Sequence, residues 1–177
     1  MMQKIAWTVF VSMLLIAIFF LWHSAPGLPP LVGSHFDAAG YPNALMTRSG
    51  YTRFVLSLGI GLPVAVVALL TLVYSRAGDF KLPNRDYWLS PERIDRTRNL
   101  LVAHAVWLGS LLVVMTCFVH WLVLDAYRRM PPQISNRWVE GGLLTFLAVT
   151  IGWIVVLLLA FRRPRGLSRK TTAHVKP

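Results

Sequence analysis

The sequence predicts an all-α membrane protein, a four-transmembrane-helix bundle with both termini inside and an ordered extracytoplasmic loop between helices 1 and 2. Three observations carry this expectation. Of 177 residues, 55% are hydrophobic and only 14% are charged, whereas soluble domains carry about a quarter charged residues. The apolar residues fall in four blocks, each near the roughly 20 residues needed to cross a hydrocarbon core. The charges lie almost entirely between those blocks.

The first block, about residues 5–22, runs from Ile5 to Trp22 without a charge. It is longer than the roughly 7–15 residues of a signal-peptide core, and Pro26 sits where a peptidase would want an accessible bond. It therefore reads as an uncleaved anchor. The second, about 54–75, is also uncharged and would be about 33 Å long at 1.5 Å per residue. It contains Gly59, Gly61 and Pro63, and the proline should disturb the helix. Gly61, Ala65 and Ala68 fall at i, i+4 and i+7, a stripe of small residues that predicts close approach of another helix.

The third block, about 100–124, holds His104 and His120 as its ionisable groups, with Cys117 as a small apolar side chain. Ser90-Pro91-Glu92 before it has the form of a helix start: a hydroxyl cap, a proline at the first helical position and an acid at the positive dipole end. Pro91–Asn99 then reads as a charged helical lead-in. The fourth, about 141–161, should begin near Asn136. None of the four alternates with period two, so a membrane barrel is not expected. Backbone polar groups in lipid must pair within their own segment, so each block should be helical. Trp7, Trp22, Trp121 and Trp138 stand at block ends as interfacial anchors, while Trp153, mid-block, should pack against a neighbouring helix. Residues 1–161 thus form one transmembrane domain and 162–177 a basic tail.

The net charge of +11 follows from topology. With the amino terminus in the cytoplasm, 13 of the 18 basic residues lie inside and five (Arg48, Arg53, Arg128, Arg129 and Arg137) outside, as the positive-inside rule requires. A bacterial inner-membrane location with both ends cytoplasmic is the expectation. The bilayer is the first partner, the basic tail resting on anionic lipid. Nucleic acid is not a partner, since no soluble domain presents a groove.

Chemistry-bearing residues are sparse. His23, His35, His120 and Asp125 gather toward the outer face and could hold a divalent metal or a proton-coupled site. Their spacing matches no ligand motif, with no HExxH and no CxxC. His120 and Asp125 are five apart and do not share a helical face, and Asp125 has Arg129 at i+4 as an ordinary partner. No nucleophile triad or phosphate loop is present. The chain is expected to be no enzyme and to carry no cofactor.

Two connections are more specific. The outer loop reads Leu28-Pro29, then His35-Phe36-Asp37-Ala38-Ala39-Gly40-Tyr41-Pro42. The inner loop reads Leu82-Pro83-Asn84-Arg85-Asp86-Tyr87-Trp88-Leu89. Together these resemble the paired signatures of an SdpI-like bacterial membrane family, whose amino-terminal domain of unknown function is shared with toxin-immunity proteins. Members related to immunity proteins protect against a secreted peptide toxin and report on it by holding a repressor at the membrane. The resemblance implies a ligand or partner surface at His35, Phe36, Asp37, Gly40 and Pro42 outside and at Pro83, Asn84, Tyr87 and Trp88 inside. The expected function is non-enzymatic sensing or immunity-like binding of an extracellular peptide or envelope component, with a cytoplasmic or membrane protein partner on the other side. The alternative from another class is a small transporter or channel component, and a zinc-dependent membrane hydrolase is a third reading.

Overall fold

The computed structural model describes residues 2–76 and 83–162; residues 77–82, at the start of the connection between the second and third membrane helices, and the basic tail expected beyond Arg162 lie outside the described residues. The chain runs α1 (Met2–Ser24), a 3-10 turn (Ala25–Gly27), β1 (Leu31–Phe36), β2 (Pro42–Thr47), α2 (Arg48–Leu56), a π-helical segment (Ser57–Gly61), α3 (Leu62–Arg76), the short α4 (Arg85–Trp88), α5 (Ile94–Ala126) and α6 (Asn136–Ala160). Four helices are long and apolar enough to cross a membrane: 2–27, 48–76, 94–126 and 136–160. This is a multi-pass membrane protein.

The expected blocks are present, with three corrections. The second membrane helix begins at Arg48, not near Phe54. Thr47 is extended and its side-chain oxygen accepts from the Gly50 N–H, so it caps a helix that starts six residues early. The third helix begins at Ile94 with Arg93 as its cap, and Ser90 gives no side-chain cap. Ser90 instead opens a preceding turn, its carbonyl accepting from the Arg93 and Ile94 amides. The connection between the first two membrane helices is not merely ordered; it is an antiparallel β-hairpin with an irregular register between Gly33 and Phe36.

Pro63 shapes the second helix. A proline has no N–H to donate and its ring crowds the carbonyl four residues back. Immediately before it the helix widens, and Leu62 N–H bonds to the Ser57 carbonyl, five residues back.

Packing centres on α5. Ala6, Phe10 and Ala17 of α1, Val67 of α3 and Val102, Ala103, Val106 and Val113 of α5 form one buried cluster. Small residues let the backbones come close, which in lipid is the main source of helix association. One close approach is at Gly109 of α5, where an added Cβ would collide with Val67 and stand 2.9 Å from the Phe10 ring. Gly59 is similarly placed, with Leu21 at 3.0 Å and Thr116 at 3.2 Å from a would-be Cβ.

The stripe expected at Gly61, Ala65 and Ala68 is overturned: all three are exposed, and nothing lies within 4 Å of a Cβ at Gly61. Residues three and four apart share a face wherever that face points, and here it points away from the bundle. The consequence is measurable. Gly109→Val should lower stability by about 1–3 kcal/mol through overpacking, whereas Gly61→Leu should leave unfolding in mixed micelles nearly unchanged. Equal effects from the two would contradict this packing.

α6 differs from the other three. None of its residues is buried, and it is held at discrete points. Gly142 lies against the Phe118 ring. Trp153 meets His104 at 5.7 Å between ring centroids, the neighbour expected for it. Trp138 stands edge-on to Trp121 at 5.6 Å.

Candidate functional site

The chemistry-bearing side chains gather at the two ends of the bundle, here the hairpin end and the terminal end, where α1 begins and α6 finishes.

At the hairpin end the turn Asp37–Tyr41 is built by its own side chain. Asp37 Oδ1 accepts from the Ala39 and Tyr41 amides, both at 2.9 Å, the local bonding that makes aspartate a turn residue. Gly40 has φ +84°, a conformation that costs a residue with a Cβ. Its carbonyl accepts from the Ile134 N–H at 2.9 Å. Gln133 Nε2 donates to the Ala39 carbonyl at 2.8 Å and Asn136 Nδ2 to the Ala38 carbonyl at 2.9 Å. The hairpin tip is thereby fastened to the α5–α6 connection.

Its base is fastened as well. The Gly33 N–H donates to the Tyr127 hydroxyl at 2.7 Å. Leu28 and Val32 are buried with Leu21, Tyr51, Val55 and Val123. Arg48 Nη1 donates to the Pro26 and Leu28 carbonyls, both at 3.0 Å.

Under the hairpin lies a group that no sequence motif announced. His120 is fully buried. Its Nε2 is 2.8 Å from Ser24 Oγ and its Nδ1 is 2.9 Å from the Tyr51 hydroxyl. Ser24 donates its one proton to the Phe20 carbonyl at 2.6 Å. Toward His120 it therefore accepts, which puts the ring proton on Nε2 and leaves Nδ1 to accept from Tyr51. The chain Tyr51 to His120 to Ser24 to the Phe20 carbonyl satisfies every member with one proton each. It joins α1, α2 and α5 at one point, with the Phe20 ring edge-on to the imidazole at 5.4 Å.

The metal-site alternative finds no geometric support. His23 stacks on Phe19 at 5.4 Å, His35 is exposed beside Ser34, and Asp125 pairs with Arg129 as expected. Both ring nitrogens of His120 are engaged. Among the described residues no three His, Cys, Asp or Glu side chains converge.

Of the outer residues singled out in the sequence, Asp37 and Gly40 thus build and dock the turn. Phe36 packs with the cluster beneath the hairpin, and Pro42 pairs with it across the strands. His35 is exposed, and among the described residues its ring hydrogen-bonds only with its neighbour Ser34.

The terminal end is organised by the second motif. Asn84 adopts a left-handed conformation, φ 55°, and Nδ2 donates to the Phe161 carbonyl at 3.2 Å. Trp88 Nε1 donates to the same carbonyl at 2.9 Å, and its ring stands edge-on to Phe161 at 5.5 Å. Two donors thus satisfy a carbonyl at the end of α6 that has no partner within the helix. Thr97 Oγ1 donates to the Trp88 carbonyl at 2.8 Å, tying this loop to α5. Arg93 lies over the Tyr87 ring at 4.2 Å. Pro83 is exposed. Nearby, the Ser90 hydroxyl's hydrogen bond holds the Glu92 carboxyl below its ordinary pKa, aided by a backbone amide and by Arg93.

Between hairpin and α5–α6 connection runs an open groove of about 560 Å³, walled by Leu28, Leu31, Pro42, Leu45, Tyr127 and Met130. Leu31, Leu45 and Met130 are 54%, 56% and 94% exposed, more apolar surface than a docked loop needs to expose. Beside it, among the described residues, β2 pairs with β1 alone, so its other edge has no strand beside it.

Fold and site together define a membrane-embedded helical bundle with a docked β-hairpin cap. No family model, characterised protein or solved structure matches the chain.

Proposed function

We propose that this is a non-enzymatic binding and sensing protein of the bacterial inner membrane, with both termini in the cytoplasm, whose hairpin receives an extracellular peptide. The observation that carries the reading is the hairpin itself, fixed at base and tip while its apolar groove and one strand edge stay open. An unpaired strand edge is a template for an extended segment, with main-chain bonds giving affinity and side-chain pockets giving selectivity. The bias of basic residues toward the terminal end supports the orientation, and the sequence resemblance to SdpI-like proteins supports a peptide as the ligand.

The second half of the reading is a partner at the terminal end. α5 is one helix of 33 residues, about 50 Å long. It touches Trp88 through Thr97 near its start and Tyr51 and Ser24 through His120 near its finish. A shift of this helix on ligand binding would be felt at Tyr87 and Trp88, where a cytoplasmic or membrane partner would read it. The transporter alternative calls for an ionisable side chain facing a cavity at mid-depth; the full engagement of His120 favours binding over transport.

The test uses Leu45→Asp and Leu31→Asp, which change exposed side chains and spare the docking bonds. Cells producing each variant are challenged with secreted antibacterial peptides, with insertion verified by membrane fractionation. Burying one leucine contributes about 1.5–3 kcal/mol, so protection should weaken at least about tenfold. Wild-type protection from correctly inserted variants would end the proposal.

A further inference from the structure

A second cleft opens at the hairpin end, away from the groove just described. It lies where the 3-10 turn meets the start of α2, has a volume of about 530 Å³, and is lined by Trp22, Pro26, Arg48, Ser49, Thr52 and Arg53 among others. The size is within the usual range for a small-molecule site. Its walls carry two guanidinium groups. Among the described residues at this end, Asp37 is spent on the hairpin turn, Asp125 on Arg129, and Glu140 of α6 forms no ion pair with either arginine. Neither arginine has a carboxylate partner.

Arg48 is already oriented. Its Nη1 is held by two backbone carbonyls, which fix its direction without neutralising its charge and leave its other nitrogens to donate. Arg53 is exposed, about one and a half turns further along the helix; Arg48 with Thr52 and Ser49 with Arg53 fall at i, i+4, and all four side chains line this cleft. Trp22, 68% exposed, forms the apolar wall, an indole suited to headgroup depth. Paired guanidinium groups with neighbouring hydroxyls match a tetrahedral oxyanion, which arginine binds through two parallel N–H···O bonds.

We infer that this cleft binds a phosphate group, with Arg53 and the free nitrogens of Arg48 on its oxygens and Trp22 against whatever the phosphate carries. The chemistry is shared by an anionic lipid headgroup and by free phosphate, and the experiment separates them. The full chain is purified in neutral detergent, and thermal unfolding is followed during titration with inorganic phosphate. It is then placed in phosphatidylcholine nanodiscs with or without phosphatidylglycerol, and retained lipid is quantified by mass spectrometry.

The wild type should be stabilised in at least one arm. Stabilisation by phosphatidylglycerol alone identifies a lipid headgroup, and stabilisation by inorganic phosphate as well identifies a site for phosphate itself. Arg53→Gln should weaken the response about tenfold, Arg53→Lys should recover part of it, and Arg128→Gln, at the same end but outside the cleft, should respond as the wild type. Arg48 is the poorer probe, because it also holds the turn. No stabilisation in either arm, or equal losses in Arg53→Gln and Arg128→Gln, would overturn the assignment.

Discussion

His120→Ala is expected to be among the most destabilising single changes in this protein, lowering stability by about 3 kcal/mol or more. Two effects combine. Removing a fully buried ring leaves a cavity, and large-to-small changes of this kind cost about 2–5 kcal/mol. The change also strands the Tyr51 hydroxyl and the Ser24 oxygen, each now without the partner it has at 2.9 and 2.8 Å. Side-chain hydrogen bonds in membrane proteins average only about 0.6 kcal/mol, so packing should dominate. His120→Leu separates the terms, because it retains most of the volume and loses both bonds. It should cost about 1–2 kcal/mol, and Tyr51→Phe in the same background should then add little. Unfolding in mixed micelles measures all three. A leucine variant as damaged as the alanine variant would mean that the polar chain outweighs the packing.

Gly40→Val should release the hairpin from the helices. The valine must hold φ near +84°, a strained conformation costing about 1–3 kcal/mol, and its Cβ would collide with the Ile134 carbonyl oxygen. That oxygen belongs to backbone and cannot rotate aside, so the hydrogen bond from Ile134 N–H to the Gly40 carbonyl should break too. The total is about 2–4 kcal/mol, confined to the cap. Amide exchange should accelerate at Gly40, Tyr41 and Ile134 while α1 and α5 stay protected. Ala44→Val, an exposed position on β2, is the control and should leave exchange at the turn unchanged. Wild-type protection of Ile134 in Gly40→Val would show that the tip is not docked as described.

These two residues also divide what sequence reasoning can reach. Gly40 was legible in the sequence as part of the His35–Pro42 motif, which marked an ordered loop without disclosing strands. Its contact with Ile134 joins positions far apart in the chain, which no local pattern reports. His120 stood in the sequence as an ionisable group of the third block and as one of four residues that could hold a metal. Its partners sit on α1 and α2, Tyr51 within a helix that begins six residues earlier than the hydropathy block implied. Thr47, as a cap before Arg48, was the local cue for that start. Trp88 and Asn84 were visible as a motif, but their common acceptor at Phe161 was not.

By itself the sequence determined that four segments are long and apolar enough to span a bilayer and that its charges lie between them, because length and hydrophobicity alone govern whether a helix can sit in lipid. Only the tertiary structure decided which face of each helix turns inward. In water an apolar stripe marks the buried side of a helix. In lipid the surroundings are as apolar as the core, so Gly61 on the outside and Gly109 on the inside carry the same local signature, and only the packed neighbours distinguish them.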